Sequence, residues 1–316
     1  MHLPLNKIAV LDGLKRFLEV LVLLFLTLPF FVYNIAFAEQ AGVSFAKMAF
    51  VANVEGNWDL FLVDENGQNL IQLTNSPYDE NEPCWSPDRK KIIYSTSDGE
   101  LNIIDINTKE HYRLPIRDKK DKKTSASFSP SGKEIIYVYF KPKTADDTAL
   151  AIFDLDKKIN KILLDQYGPQ YFPSWSPNSK QIVYTNVHCS SECGRVIQEL
   201  WIADPEGDYA RQILMTNSLC MQPVWSPDSK RIAFASDKAG NFDIWILSLE
   251  DWKLQQLTTD PHFDVSPAWS REGDKIAFVS TRSGRMAIWI KDLKSGGLKR
   301  LAPFPNLEVE CKDVAW

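Results

Sequence analysis

An aromatic residue followed by the same kind of turn recurs along this chain, at Trp85, Phe128, Trp175, Trp225, Trp269 and Trp316. The first five copies continue as Trp85-Ser-Pro-Asp-Arg-Lys90, Phe128-Ser-Pro-Ser-Gly-Lys133, Trp175-Ser-Pro-Asn-Ser-Lys180, Trp225-Ser-Pro-Asp-Ser-Lys230 and Trp269-Ser-Arg-Glu-Gly-Asp274; the sixth ends at Trp316. The intervals are 43, 47, 50, 44 and 47 residues. A period in the forties, filled with short strand patterns, specifies a radial array of four-stranded blades and argues against independent domains.

The fifth copy shows what one repeat encodes. Pro267-Ala-Trp-Ser270 is a short apolar strand, Lys275–Ser280 a second, Met286–Ile290 a third and Leu298–Leu301 a fourth. Polar turns separate them, which predicts a meander. In the Ser-Pro-Asp turn, proline presets φ near −65° and the short polar side chain bonds back to the local backbone. Gly132 and Gly273 fall where positive φ is expected, and Arg89, Ser179 and Ser229 occupy that position in the other copies. The tryptophan is large enough to fill the wedge between neighbouring blades.

Trp316 ends where a first strand would be finished, and the remaining strands of that blade occur near the other end of the chain. Lys47–Ala52, Trp58–Val63 and Asn69–Thr74 match the second, third and fourth strands. Pairing Asp313–Trp316 with them closes the ring and covers two strand edges. The expected fold is all-β: a six-bladed β-propeller of four-stranded antiparallel blades, closed by its C-terminal strand and preceded by a signal peptide. The runs Leu73–Asp88 and Leu257–Ser270 resemble the repeat of TolB-type propellers. The resemblance covers about residues 45–316 and has no counterpart of that family's N-terminal α/β domain. It implies a periplasmic scaffold that binds a protein or peptide, such as an outer-membrane-associated, peptidoglycan-binding lipoprotein.

Residues 1–38 differ in character. Lys7, Lys15 and Arg16 precede a nearly continuous apolar run, Val20 to Val32, and Ala36 and Ala38 supply small residues for cleavage before Glu39. This pattern predicts a secretory signal peptide over 1–38 and a propeller over 39–316. The alternative is an uncleaved anchor, because Phe17 to Ala38 is long enough to span a bilayer. The net charge of −5 argues against a nucleic-acid surface. Arg117–Lys123, interrupted by Asp118 and Asp121, is expected to be a solvated loop between blades.

Chemistry-bearing motifs are sparse. His111 is expected in an outer strand, and His262 lies in a loop with Asp260 and Asp264. No nucleophile elbow, His-Glu-x-x-His or phosphate loop occurs, so no catalytic residue, metal or cofactor is expected. Cys189 and Cys193 are expected to close a loop by a disulfide, with Cys220 the alternative partner. A zinc site from His188, Cys189, Cys193 and Cys220 has suitable ligand types, but its spacing is irregular and the compartment oxidising.

Loops after the second strand and between blades share one rim, where insertions concentrate at 141–147 and 187–198. Tyr78, Asp79, Tyr171, Phe172, Met221, His262, Phe263, Asp264, Leu307 and Glu308 are the candidate partner-binding residues there. Aromatic groups flanked by polar ones suit a protein-binding surface. The reading is a non-enzymatic, exported, monomeric scaffold for a protein or peptide partner. Its alternatives are a propeller-based envelope enzyme acting on polysaccharide (a lyase or hydrolase) and a membrane-anchored sensor or assembly scaffold.

Overall fold

Each repeat folds as an antiparallel meander because its strands are short, β-branched and aromatic, and are punctuated by turns whose residues accept the required backbone angles. The structure, a computed structural model, describes residues 47–54, 56–116, 122–142, 147–189, 194–305 and 307–316. Among these it places six four-stranded sheets and no helix. The sheets are numbered here as blades 1 to 6 in chain order. The expected leader, 1–38, lies outside the described residues.

The innermost strands of blades 2 to 6 are Glu80–Trp85, Lys123–Phe128, Gln170–Trp175, Cys220–Trp225 and Asp264–Trp269. Blade 1 is composite. Glu310–Ala315 supplies its inner strand and pairs with Lys47–Val54, which is followed by Asn57–Asp64 and Ile71–Gln72. The closure expected from Trp316 is therefore borne out. The closing strand begins three residues earlier than expected, with Glu310 opposite Asn53. The expected fourth strand, Asn69–Thr74, shortens to two residues because a hairpin from Asp64 to Asn69 takes up chain.

The turn chemistry holds at residue level. Arg89, Gly132, Ser179, Ser229 and Gly273 have φ of 60°, 70°, 61°, 60° and 70°. The core is not central. It consists of six apolar clusters, one in each wedge between adjacent blades. Met48, Phe50 and Ala52 face blade 6, whereas Ala49 and Val51 face blade 2. Strand alternation thus feeds two wedges at once, and both faces of a blade must be apolar. Trp85, Trp225 and Trp269 donate Nε1 to Ala315 O, Ser174 O and Val224 O of the preceding blade at 3.3, 3.1 and 3.3 Å. Each fills a wedge and ties one inner strand to the next, so truncating one to alanine costs about 3–5 kcal/mol.

The meander sorts its loops onto two faces. On one, second-to-third-strand loops bond to the loops between blades: Ser97 N to Asp79 O at 2.9 Å, Val187 N to Pro169 O at 2.9 Å and Thr281 N to Phe263 O at 3.1 Å. On the other, the Ser-Pro turns meet the outer hairpins, as in Ile106 N to Lys90 O and Leu249 N to Lys230 O, both 2.9 Å.

Candidate functional site

Exposed apolar side chains are divided unequally between these faces. Tyr78, Tyr167, Val196, Met215, Phe263 and Leu307 stand exposed on the face carrying the loops between blades. On the opposite face Tyr209 and Trp252 do so in outer hairpins, and Ile159 and Leu298 at the first residues of outer strands beside such hairpins. Phe263, 55% exposed, is held by stacking on Phe242 at 6.0 Å between ring centroids. A rigid, half-exposed ring loses little entropy on binding, which is what an interface anchor requires. Glu308 is exposed beside Leu307 and pairs with Arg285 at 3.0 Å, and His262 is exposed and bonded to Asp260.

Other residues expected on the rim are buried or half-buried. Asp264 is fully buried at the start of its inner strand, where Arg282 Nη2 approaches its carboxylate to 2.5 Å. Met221 is half-buried against the cluster between blades 5 and 6. Asp79 is half-buried and accepts the Trp58 amide at 3.2 Å. Tyr171 and Phe172 are half-buried on an inner strand, with rings 6.1 Å apart. The two ends of the interval 187–198, expected as loop, are strand: Val187 pairs with Gln198, His188 with Ile197 and Cys189 with Val196. Lys123 is likewise buried rather than solvated, with Nζ 3.7 Å from Glu100. Lys122 is exposed as expected, and the rest of that basic run, 117–121, lies outside the described residues.

A second constellation surrounds the channel. Every inner strand bulges three residues before its aromatic position, as the register shifts show. The bulging residue is left-handed in each: Glu82, Ser125, Phe172, Gln222, Ser266 and Asp313, with φ between 49° and 53°. Proline follows in four of them, at Pro83, Pro173, Pro223 and Pro267, which suits a bulge that has given up its ladder bond. The bulge re-aims these side chains at one another. Asp313 Oδ2 accepts the Glu82 amide at 3.2 Å, and Glu82 Oε2 accepts the Ser125 amide at 2.7 Å. Gln222 Oε1 accepts the Ser266 amide at 2.8 Å, and Ser266 Oγ donates to Asp313 Oδ1 at 3.4 Å. A polar belt so links blades 5, 6, 1, 2 and 3, and Phe172 interrupts it in blade 4. Burial, with the Glu82 carboxylate beside it, pushes the Asp313 carboxyl up to about 6.

A family model described as the TolB beta propeller domain matches residues 44–217 and 144–310. The chain belongs to the TolB β-propeller family. The Tol-Pal system protein TolB of Anaeromyxobacter sp. (strain K) is 36% identical over 108 residues, 34% of this chain and 23% of that protein. The chain thus matches less than a quarter of that relative's length. Among solved structures, TolB from Acinetobacter baumannii superposes with a TM-score of 0.71 at 18% identity, over 85% of this chain and 66% of that one. An oligogalacturonate lyase from Vibrio parahaemolyticus superposes at 0.57 with 15% identity, over 81% and 74%. Both likenesses show the fold.

Within this TolB-family propeller the cysteines are dispersed. Cys220 and Cys311 are buried free thiols at the same repeat position, five residues before Trp225 and Trp316. Burial raises both thiols. Cys220 Sγ lies 3.7 Å from Ser236 Oγ and is not joined to Cys189. Cys193 lies outside the described residues, so the Cys189–Cys193 pairing remains an expectation. His188 sits 3.7 Å from buried Glu199, and among the described residues no group of three or more His, Cys, Asp or Glu is placed to hold a metal. His111 is exposed in an outer strand as expected, its Nδ1 3.0 Å from Tyr94 Oη. Sequence reasoning missed Tyr167, Val196 and Met215 on the loop face and the whole channel belt. The belt had a signal: a fixed offset of three residues before each aromatic position.

Proposed function

We propose that this propeller is a non-enzymatic scaffold of the bacterial cell envelope, acting in the periplasm, whose loop face binds a protein or peptide. The observation that carries this reading is the larger share of exposed apolar groups on the loop face, with Phe263 anchored there on Phe242. The relatives named as Tol-Pal system proteins support a protein partner. An outer-membrane-associated lipoprotein is the partner class the family resemblance implies, and the scaffold acts as a monomer.

The test pairs capture with stability. Crosslinking in intact cells should recover an envelope protein with wild type, and Phe263→Ala should lose it while unfolding within about 1 kcal/mol of wild type, as exposed sites do. Trp269→Ala should instead lose stability first. Equal destabilisation by both substitutions, or capture unaffected by Phe263→Ala, would overturn the rim. The enzyme alternative is checked by incubating purified protein with oligogalacturonate. Turnover abolished by Glu82→Gln or Asp313→Asn would replace the scaffold reading.

A further inference from the structure

The outer strands of the blades are unequal. Five have two or three residues: Ile71–Gln72, His111–Arg113, Arg211–Gln212, Leu254–Gln256 and Leu298–Arg300. The sixth, Ile159–Leu164 in blade 3, has six. Its hairpin is the one blade 2 also uses: Lys158, at φ 56°, bonds Asp154 O at 2.8 Å as Lys109, at 58°, bonds Asp105 O at 2.8 Å. In blade 3 alone the pairing then runs on, from Asp154 opposite Ile159 to Leu150 opposite Leu164. The strand pairs with Thr148–Asp154 on one side only, and its other side is a sheet edge. Natural propellers keep such edges short, because outward amides and carbonyls template another strand.

We propose that this edge is a docking site for an extended, acidic segment of a partner protein, added as a fifth strand to blade 3. Ile159 to Ile162 are exposed in succession, with Ile159 60% and Ile162 48% exposed. Alternation sends Ile159 and Lys161 to one face and Asn160 and Ile162 to the other. An added strand would find an isoleucine to cover on each face. Beyond Ile162 the edge closes. Leu164 is buried in the wedge with blade 4, and Gly207 of that blade approaches so closely that a Cβ there would lie 2.5 Å from Leu163 O. The open register is thus four residues.

Charge selects the occupant. Lys157 is paired with Asp154 at 3.0 Å, but Lys158 and Lys161 form no ion pair among the described residues. Carboxylates beside those two ammonium groups would gain cross-strand pairs. A second copy of this chain, laid edge to edge, would instead bring four such lysines into one seam. Backbone bonds supply affinity in this mode and alternate side chains supply specificity. The site is on the outer circumference and does not depend on the loop face.

The probe is a fluorescein-labelled octapeptide of alternating valine and glutamate, titrated into the full chain and followed by anisotropy. Saturable binding is expected, weakened about tenfold or more by Lys158→Glu/Lys161→Glu and unchanged by Phe263→Ala. Hydrogen exchange should slow at 159–162 when the peptide binds. No saturable binding, equal binding of a valine–lysine octapeptide, or undiminished binding to the double variant would overturn the proposal. So would exchange protection confined to the loop face. A concentration-dependent dimer in sedimentation, abolished by the double variant, would assign the edge to a second copy and overturn it as well. Loss of envelope capture by Phe263→Ala, with peptide binding intact, separates the two surfaces.

Discussion

The junction between blades 1 and 2 and the junction between blades 5 and 6 are built from the same parts. In the first, Thr74 Oγ1 accepts the Leu60 amide at 2.7 Å and Gln72 Nε2 donates to Asp59 Oδ2 at 3.1 Å. In the second, Thr258 Oγ1 accepts the Ile244 amide at 2.9 Å and Gln256 Nε2 donates to Asp243 Oδ2 at 3.0 Å. Each then receives a second buried acid from the next blade, Glu80 or Asp264. They differ in the neutralising group. Asp264 pairs with Ser280, and two residues on stands Arg282, bound to Asp264 and lying 5.3 Å from the Trp289 ring centre. Glu80 pairs with Thr96, and two residues on stands Asp98.

One junction therefore holds a cation, whereas the other favours the protonated form of its Glu80 carboxyl. Burial, with the Asp59 carboxylate adding to it, pushes the Glu80 carboxyl up to about 7 against the pull of the Ser76 and Thr74 hydroxyls. Burial also raises Asp243, against the pull of the Thr258 and Gln256 hydrogen bonds and, more weakly, of Arg282. The repeat geometry fixes where two acids meet, and the local sequence decides how that charge is cancelled.

The largest test breaks the cationic junction. Arg282→Met leaves Asp264 and Asp243 buried without a counter-charge, so urea unfolding at pH 7.5 should show a loss of about 3–5 kcal/mol. Adding Asp264→Asn should restore part of it. Wild-type stability in Arg282→Met would mean that the two junctions are equivalent. A smaller effect is expected from Glu80→Gln. A carboxyl whose folded pKa exceeds its unfolded one binds extra protons in the folded state between those two values. Stability then falls as pH rises from about 4.5 to about 7. Glu80→Gln should remove that slope, leave unfolding at pH 4 little changed, and stabilise by about 2 kcal/mol at pH 8. Asp313 contributes a slope of the same sign up to about pH 6, which should survive the substitution. Smallest is Asp98→Arg, which imports the cation. A gain of about 1 kcal/mol at pH 8, with a flatter pH profile, would show that one charge converts one junction into the other. No change in the profile would mean that position 98 cannot reach Glu80.

The propeller was legible because its signals are local: a Trp-Ser-Pro turn, a period in the forties and strands of alternating apolar residues. The junctions were not. Asp264 looked like a loop residue because it follows Pro261-His262-Phe263, yet it shares its position with Glu80, Lys123, Gln170, Cys220 and Cys311. That position is buried in all six blades and accepts any side chain whose partner is supplied elsewhere. For Asp264 the partner lies eighteen residues away, for Gln170 the side-chain amide donates to Gln166 O at 3.3 Å in the preceding loop, and neither follows from composition. Glu82 and Asp313 were hidden for a related reason. A bulge is visible only when the neighbouring strand's register is known, and before that both residues read as ordinary strand polar groups. Phe263, Tyr78 and Leu307 were legible because they lie in loops outside the repeated strand pattern, where apolar side chains have no core to enter.

The composite first blade has a kinetic consequence. Five blades are local meanders that can form as soon as their own residues are available. The strand Glu310–Ala315 must instead find Lys47–Val54 across nearly the whole described chain. Such a long-range search is slow, and its entropy cost comes before any contact rewards it. The seam is therefore expected to be the last step in folding and the first place at which a folded molecule breathes. Until it closes, two strand edges stay open at once, so a chain delayed at that point is the species most exposed to pairing with its neighbours.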